Sequence, residues 1–162
     1  MLNIITLGAE QLRKHSILVP ELNGELHQLI EQMFESMRAY KGIGLAAVQV
    51  GSLFRLFVTD LPKDQPRVFV NPEITGTSVE QGTFEEGCLS IPGIEAEVFR
   101  PMNVRVQAWN EKGRPFSLDG GELLGRVIQH ELDHLNGILF IDRIDPKKRE
   151  RLTKQFHSGA RL

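Results

Sequence analysis

Residues 121–137 read GELLGRVIQHELDHLNG and place two histidines four residues apart in a stretch with helical periodicity. At about 3.6 residues per turn, His130 and His134 lie roughly 40° apart, so both imidazoles can face one atom. Glu131 lies beside this face and is not an obvious third ligand. Two core histidines satisfied by hydrogen bonds alone are the alternative. Burying them beside a glutamate without a partner is costly, however, so the pattern favours a metal site.

Two imidazoles do not complete a zinc or iron shell, so another ligand must come from elsewhere in the chain. A helical extension of the motif would need its last histidine at Phe140, and Glu150, the only glutamate downstream, lies in a basic run. The single cysteine, Cys88, lies in EEGCLSIPG (85–93) and follows a glycine that lets the backbone approach another group closely. The sequence therefore predicts a site with three protein ligands, Cys88, His130 and His134, and a fourth position open, as in catalytic metal sites.

The remaining chain changes from a helical to an extended pattern and back. The stretch 24–42 predicts an amphipathic helix, with Asn23 as its N-cap and Gly42 just past its end. The helix in 121–137 is predicted to be capped by Asp119 and to stop at Gly137. Val- and Phe-rich runs at 53–62, 66–74, 97–110 and 114–119 predict antiparallel strands, with a hairpin turn at 110–113. A polar helix is predicted from residue 145 onward. The expected fold is one α+β domain over 1–162, with antiparallel strands packed around a metal-bearing central helix, a flanking N-terminal helix and a C-terminal helix.

Composition narrows the class of protein. The chain has 162 residues, 41% hydrophobic and 25% charged, close to soluble globular averages and unlike disordered or membrane-spanning chains. A net charge of -2 gives no basic field for nucleic acid. The start lacks a signal or transit pattern, and nothing approaches the roughly 18 apolar residues of a membrane span, so we expect a cytoplasmic protein without a membrane partner.

A third stretch, GIGLAAVQVG (42–51), fails as a phosphate loop because its spacing is wrong and no strand precedes it. A turn into the next strand is the simplest interpretation. It leaves Gln49 unexplained, because a buried primary amide needs partners. An amide N–H directed at a carbonyl at the metal would be one.

Three stretches of the chain resemble, in this order, the three motifs of peptide deformylase: GIGLAAVQVG, EEGCLSIPG and QHELDHLNG. The resemblance implies hydrolysis of the N-terminal formyl group of formylmethionyl chains, with release of formate. It implies that Cys88, His130 and His134 bind one divalent metal, Fe(II) in the cell with Zn, Ni or Co also accepted. It further implies that Glu131 is the general base and acid, and that Gln49 and the backbone N–H of Leu89 stabilise the oxyanion.

The implied substrates are formylmethionyl peptides, with nascent chains at the ribosome as their source, acted on by a monomer. A slot for the methionine side chain is expected to be lined by Ile43, Gly44, Leu45, Leu123, Arg126 and Val127, although Leu123 and Val127 fit a core position equally well. Glu86 is expected to pair with Arg100 or to orient a ligand histidine, with a surface pair as the alternative. Glu95 and Glu97 stand where some family members carry basic residues.

Two other functions compete with a deformylase. A non-catalytic Cys-His₂ zinc-binding module would need a fourth ligand, and it would not need Glu131. Another H-E-x-x-H metallopeptidase would need a third ligand downstream of the histidines, and the sequence offers none that is convincing.

Overall fold

A computed structural model describes residues 1–159 and has the expected α+β architecture. Its helices are α1 (Gly24–Ala39), α2 (Glu122–Leu135) and α3 (Pro146–Gly159), with short 3₁₀ turns at Glu10–Arg13, Ala47–Val50 and Phe140–Arg143. Its strands are β1 (Gly44–Ala46), β2 (Leu56–Thr59), β3 (Arg67–Thr77), β4 (Gln81–Cys88), β5 (Ile91–Pro101), β6 (Asn103–Trp109) and β7 (Pro115–Gly121). None of the helices in residues 1–159 has the length and apolar character needed to span a membrane.

Five strands form an antiparallel sheet in the order β1-β2-β3-β6-β7, with α1 on one face and α2 on the other. Successive side chains of β2 point to opposite faces of the sheet and are apolar on both. Leu56 and Val58 pack on the α1 side, while Phe57 packs on the α2 side. Met33 and Met37 of α1 are fully buried against the first face. The sheet therefore places the histidine-bearing helix in the interior of the molecule.

Strands β4 and β5 form a separate antiparallel hairpin. Its inner face packs with the 3₁₀ turn after α2 and with α3, through a cluster of Ile91, Ile94, Ala96, Val98, Leu139, Phe140, Ile141, Leu152 and Phe156. The apolar residues of α3 are thus used for packing. The hairpin closes the side of the molecule next to α2, and Cys88 is the last residue of β4.

The predicted helix ends are partly confirmed. The Asn23 side chain accepts a hydrogen bond from the Leu26 N–H at 3.0 Å, as expected of the α1 N-cap. Gly137 has φ +74° just past the C-cap of α2, which is the expected stop. Asp119 was wrongly predicted as a cap: it lies in β7 opposite Arg105 and pairs with that side chain at 2.8 Å. Gly121 occupies the N-cap position instead, so no side chain caps the start of α2.

The strand pattern differs from the prediction in three places. Strand β1 (Gly44–Ala46) forms where a turn into the next strand was predicted. The run predicted over 97–110 is split at Met102, where the chain leaves the hairpin and enters the large sheet. Strand β4 was not among the predicted runs, because its inward-facing positions include a glycine, Gly82, and a buried glutamate, Glu86, instead of a regular series of apolar residues. The predicted turn at 110–113 does join β6 to β7, with Gly113 at φ +76°.

Helix α2 approaches the end of β7 so closely that one position tolerates no side chain. A Cβ on Gly125 would lie 2.8 Å from the Gly120 carbonyl oxygen and 3.2 Å from that of Met102. We expect Gly125→Ala to lower the free energy of unfolding by about 1–3 kcal/mol, because backbone atoms must move to admit the methyl group. Urea unfolding followed by circular dichroism measures this difference.

Gly24→Ala is the matched control, since a Cβ at the first position of α1 would meet no atom within 4 Å. It should leave stability unchanged or slightly raised. Equal unfolding midpoints for the two variants would contradict the close contact at Gly125.

Candidate metal centre and active site

Cys88, His130 and His134 converge in the interior, one from the end of β4 and two from α2. Their potential ligand atoms all lie within 4.8 Å of one another, and Cys88 Sγ is 3.2 Å from His134 Nε2. Both histidines are buried, and Cys88 is half-buried. A soft thiolate with two imidazoles is a donor set that suits zinc or iron, so these residues fit a divalent metal ion.

Glu86 fixes the orientation of one imidazole. Its Oε1 lies 2.9 Å from His130 Nδ1, which leaves Nε2 of that ring for a metal. Burial alone raises the pKa of Glu86, but hydrogen bonds with His130 and Arg100 outweigh it and lower the pKa to about 2. Glu86 is therefore a carboxylate throughout the physiological pH range, as an acceptor for the His130 N–H requires. The expected pairing with Arg100 and the orientation of a histidine both occur.

Arg100 connects the hairpin to the helix. Its guanidinium, which is 3% exposed, donates to both oxygens of Glu86 at 2.6 and 3.0 Å and to Asp133 Oδ2 at 3.0 Å. Asp133 in turn accepts two hydrogen bonds from Arg143, both at 2.7 Å. Two carboxylates and two guanidiniums thus compensate one another next to the ligand histidines.

Glu131 occupies a different environment in the same site. It is 4% exposed, its Oε2 lies 3.9 Å from His130 Nε2, and its Oε1 has no hydrogen-bond partner among residues 1–159. Burial raises the pKa of Glu131 to about 7, although the neighbouring His130 acts in the opposite direction. A carboxyl group with this pKa can both accept and release a proton near neutral pH.

The buried Gln49 side-chain amide has hydrogen-bond partners that the sequence did not identify. Its Oε1 accepts from the Ala46 N–H at 2.9 Å, and its Nε2 donates to Ser90 Oγ at 3.0 Å. The same Nε2 lies 3.6 Å from Cys88 Sγ. The amide is therefore held in one orientation, with its N–H₂ end directed toward the three-ligand cluster.

A cavity of about 520 Å³ opens onto the cluster between β1, the β4–β5 hairpin and α2. Its lining includes Cys88, His130, Glu131, Gln49 and Leu89, together with five of the six residues predicted for the side-chain slot: Ile43, Gly44, Leu123, Arg126 and Val127. The cavity is large enough for a peptide terminus with one long side chain.

Leu45 is the exception among the predicted slot residues. It is fully buried in the cluster between α1 and the sheet. Successive residues of β1 point to opposite sides, so Leu45 faces away from α2 although Gly44 before it contacts that helix. Its assignment to the slot was wrong.

Several residues of the site escaped the sequence analysis. Asp133, Arg143, Ser90 and Phe84 were not singled out, although the first lies three positions after His130, and residues at this helical spacing are neighbours. That spacing was the one available signal. Nothing in the sequence pairs Arg143 with Asp133 or places Phe84 in the cavity wall.

Comparison with known proteins agrees with the geometry. A sequence model of the family described as polypeptide deformylase matches residues 1–150. A peptide deformylase of Treponema pallidum (strain Nichols) is 47% identical over 150 residues, covering 93% of this chain and 92% of that protein. One of Afipia carboxidovorans is 45% identical over 163 residues, covering 98% and 95%.

Solved structures give the same result. A peptide deformylase from Legionella pneumophila superposes with a TM-score of 0.96 at 40% identity, covering 100% of this chain and 96% of that chain. The Ehrlichia chaffeensis peptide deformylase in complex with actinonin superposes with a TM-score of 0.97 at 33% identity, covering 100% and 99%. The chain therefore belongs to the peptide deformylase family, as the three motifs predicted.

Proposed function

We propose that this protein hydrolyses the formyl group from the N-terminal formylmethionine of nascent polypeptides and releases formate. The observation that carries the proposal is a buried carboxyl group, Glu131, beside a three-ligand cluster at the wall of a peptide-sized cavity. A structural zinc site would need a fourth ligand, and the cluster in residues 1–159 consists of Cys88, His130 and His134. This composition supports an open coordination position and therefore catalysis.

The metal ligands are proposed to be Cys88, His130 and His134, holding one divalent ion per chain. When bound, the ion acts as a Lewis acid that lowers the pKa of the attacking water and polarises the formyl carbonyl. Fe(II) is proposed in the cell, with Zn, Ni or Co as substitutes, because a thiolate with two imidazoles suits these ions and the family resemblance favours iron. A thiolate ligand would reduce the net positive charge of the ion, so the ion would lower the pKa of water less than it would with three neutral imidazole ligands. A base nearby is therefore needed.

Glu131 is proposed as that base. Its carboxylate takes a proton from the water as oxygen adds to the formyl carbon, and it gives the proton to the amine nitrogen as the C–N bond breaks. Burial supports both steps, because it raises the pKa of this carboxyl group above its ordinary value and so makes it a better proton acceptor.

Gln49 and the backbone N–H of Leu89 are proposed to stabilise the negative oxygen that develops on the formyl group. The fixed Gln49 amide supports this role, because a donor that is already oriented costs no reorganisation during the reaction. Ser90 and the Ala46 N–H act as positioning groups for that amide.

The methionine side chain is proposed to bind against Ile43, Gly44, Leu123, Arg126 and Val127, which share the cavity wall. Action as a monomer is also proposed. Nascent chains at the ribosome are the proposed source of substrate, which would place the reaction in the cytoplasm.

Formate release from formyl-Met-Ala-Ser, measured with iron-loaded protein kept from oxygen, tests the proposal directly. Glu131→Gln is expected to lower kcat by about a hundredfold or more, because the amide can neither accept nor donate the transferred proton. Glu150→Gln is the matched control, since Glu150 is exposed on α3 and pairs only with Lys154 within residues 1–159. No formate from the wild type would refute the function, and an unchanged rate for Glu131→Gln would refute the role proposed for Glu131.

Metal analysis tests the ligand set. Cys88→Ser is expected to reduce the metal content of dialysed protein from about one ion per chain to a small fraction, because a neutral hydroxyl replaces a thiolate ligand. Ser117→Ala, a change at an exposed position of β7, should leave the content unchanged. Retention of metal by Cys88→Ser would remove the thiol from the ligand set.

The oxyanion role of Gln49 has a kinetic signature. Gln49→Leu is expected to lower kcat about a hundredfold or more with a much smaller change in KM, since the lost donor acts mainly in the transition state. Gln155→Leu, in the exposed part of α3, serves as the control. A rise in KM with kcat unchanged would instead assign Gln49 to ground-state binding.

A further inference from the structure

Two glutamates of the β4–β5 hairpin place negative charge at the opening of the substrate cavity. Glu85 on β4 and Glu95 on β5 are both exposed, and both line the cavity. Glu95 lies opposite Gly87 in the hairpin, and its Cγ is 3.5 Å from the point that a Cβ on Gly87 would occupy. Because Gly87 directly precedes the ligand Cys88, the Glu95 side chain lies close to the ligand cluster.

These two carboxyl groups lie close together and have no cationic partner. A hydrogen bond with Glu95, together with the negative charge of that residue, raises the pKa of the Glu85 carboxyl group. Within residues 1–159 neither glutamate forms an ion pair with a lysine, arginine or histidine, whereas Glu86 between them in the cavity wall is paired with Arg100. A cation placed beside the two carboxylates would therefore relieve their mutual repulsion.

The position of the pair determines which part of a substrate it would meet. The formyl group must reach the ligand cluster, and the methionine side chain is proposed to bind against α2 and the residues before and within β1. The hairpin is then the part of the cavity wall that is left for the residues that follow. Since an extended chain advances about 3.3–3.6 Å per residue, the second and third residues of the substrate would lie beside Glu85 and Glu95.

We propose that Glu85 and Glu95 give this protein a preference for formylmethionyl chains with lysine or arginine as the second or third residue. The inference rests on the proposed deformylase function and refines its substrate class. Lys41, which precedes β1, is the opposing exposed charge in the cavity wall. Two carboxylates against one ammonium leave an excess of negative charge, and Glu97, opposite Glu85 in the hairpin, adds to it from outside the cavity lining. This field favours a cationic side chain over an acidic one.

Formate release from two peptide series tests the inference: formyl-Met-Xaa-Ser and formyl-Met-Ala-Xaa, with lysine, glutamine or glutamate as Xaa. In the wild type at low salt, kcat/KM is expected to be about threefold to tenfold higher for lysine than for glutamine in at least one series, and lowest for glutamate. The lysine-to-glutamine ratio should approach one at about 0.5 M KCl, because salt screens exposed charges.

The variant that tests the pair combines Glu85→Gln with Glu95→Gln. Its lysine-to-glutamine ratio is expected to fall to about one at low salt, because both carboxylates are gone while the shape of the wall is kept. The ratio cancels any general change in activity. Glu111→Gln combined with Glu150→Gln is the matched control, since it removes the same charge from exposed positions outside the cavity wall and should keep the wild-type ratio.

A wild-type rate for lysine peptides equal to or below that for glutamine peptides in both series would overturn the inference, and this result needs no variant. So would a wild-type ratio retained when both cavity glutamates are replaced. Absence of formate from all the peptides would instead contradict the proposed function itself.

Discussion

The site depends on one buried guanidinium. Cys88 lies on the β4–β5 hairpin and the two histidines lie on α2, and no covalent link joins these layers near the cluster. Arg100, on β5, spans them by donating to Glu86 on β4 and to Asp133 on α2. Since Glu86 also accepts from His130, the ion cluster that links the two layers also orients the His130 ring. Buried ion clusters of this kind add little net stability compared with apolar packing, so specificity of geometry is the better explanation of this one.

The same site keeps two glutamates in opposite electrostatic situations. Glu86 is surrounded by donors, which lower its pKa to about 2, and it is a permanent acceptor. Glu131 is buried with one oxygen unpartnered among the described residues, and its pKa is raised to about 7. A fixed charge is what an orienting group requires, and an exchangeable proton is what a base requires. The roles proposed for the two glutamates therefore differ because their neighbours differ, although their side chains are the same.

Much of this arrangement was predictable from sequence, and the failures share a physical cause. The helices, the β6–β7 hairpin and the Cys-His-His cluster follow from local periodicity, turn residues and the donor chemistry of a few side chains. Strand β4 and the position of Leu45 do not, because they depend on which neighbouring strand or helix covers each face. Asp119 is a strong cap candidate by local rules, yet a cross-strand partner at Arg105 extends β7 past it. The Glu86–Arg100 pair was expected, but the sequence contains no signal that extends this pair to Asp133 and Arg143.

The shape of the cavity depends on two glycines, which have no side chain to fill it. A Cβ on Gly44 would lie 2.7 Å from Glu131 Oε2 and 2.9 Å from a methyl carbon of Val127, and one on Gly42 would lie 2.6 Å from Leu89 Cδ1. The backbone before and within β1 therefore rests directly on the proposed base on one side and on the loop after Cys88 on the other. A larger residue at Gly44 would displace the Glu131 carboxyl group or Val127, and one at Gly42 would displace the Leu89 side chain. Either change would alter the distance between the carboxyl group and the proposed oxyanion donors. Because catalysis is sensitive to displacements of about 1 Å, the two glycines belong to the geometry of the site as much as the residues with reactive side chains do.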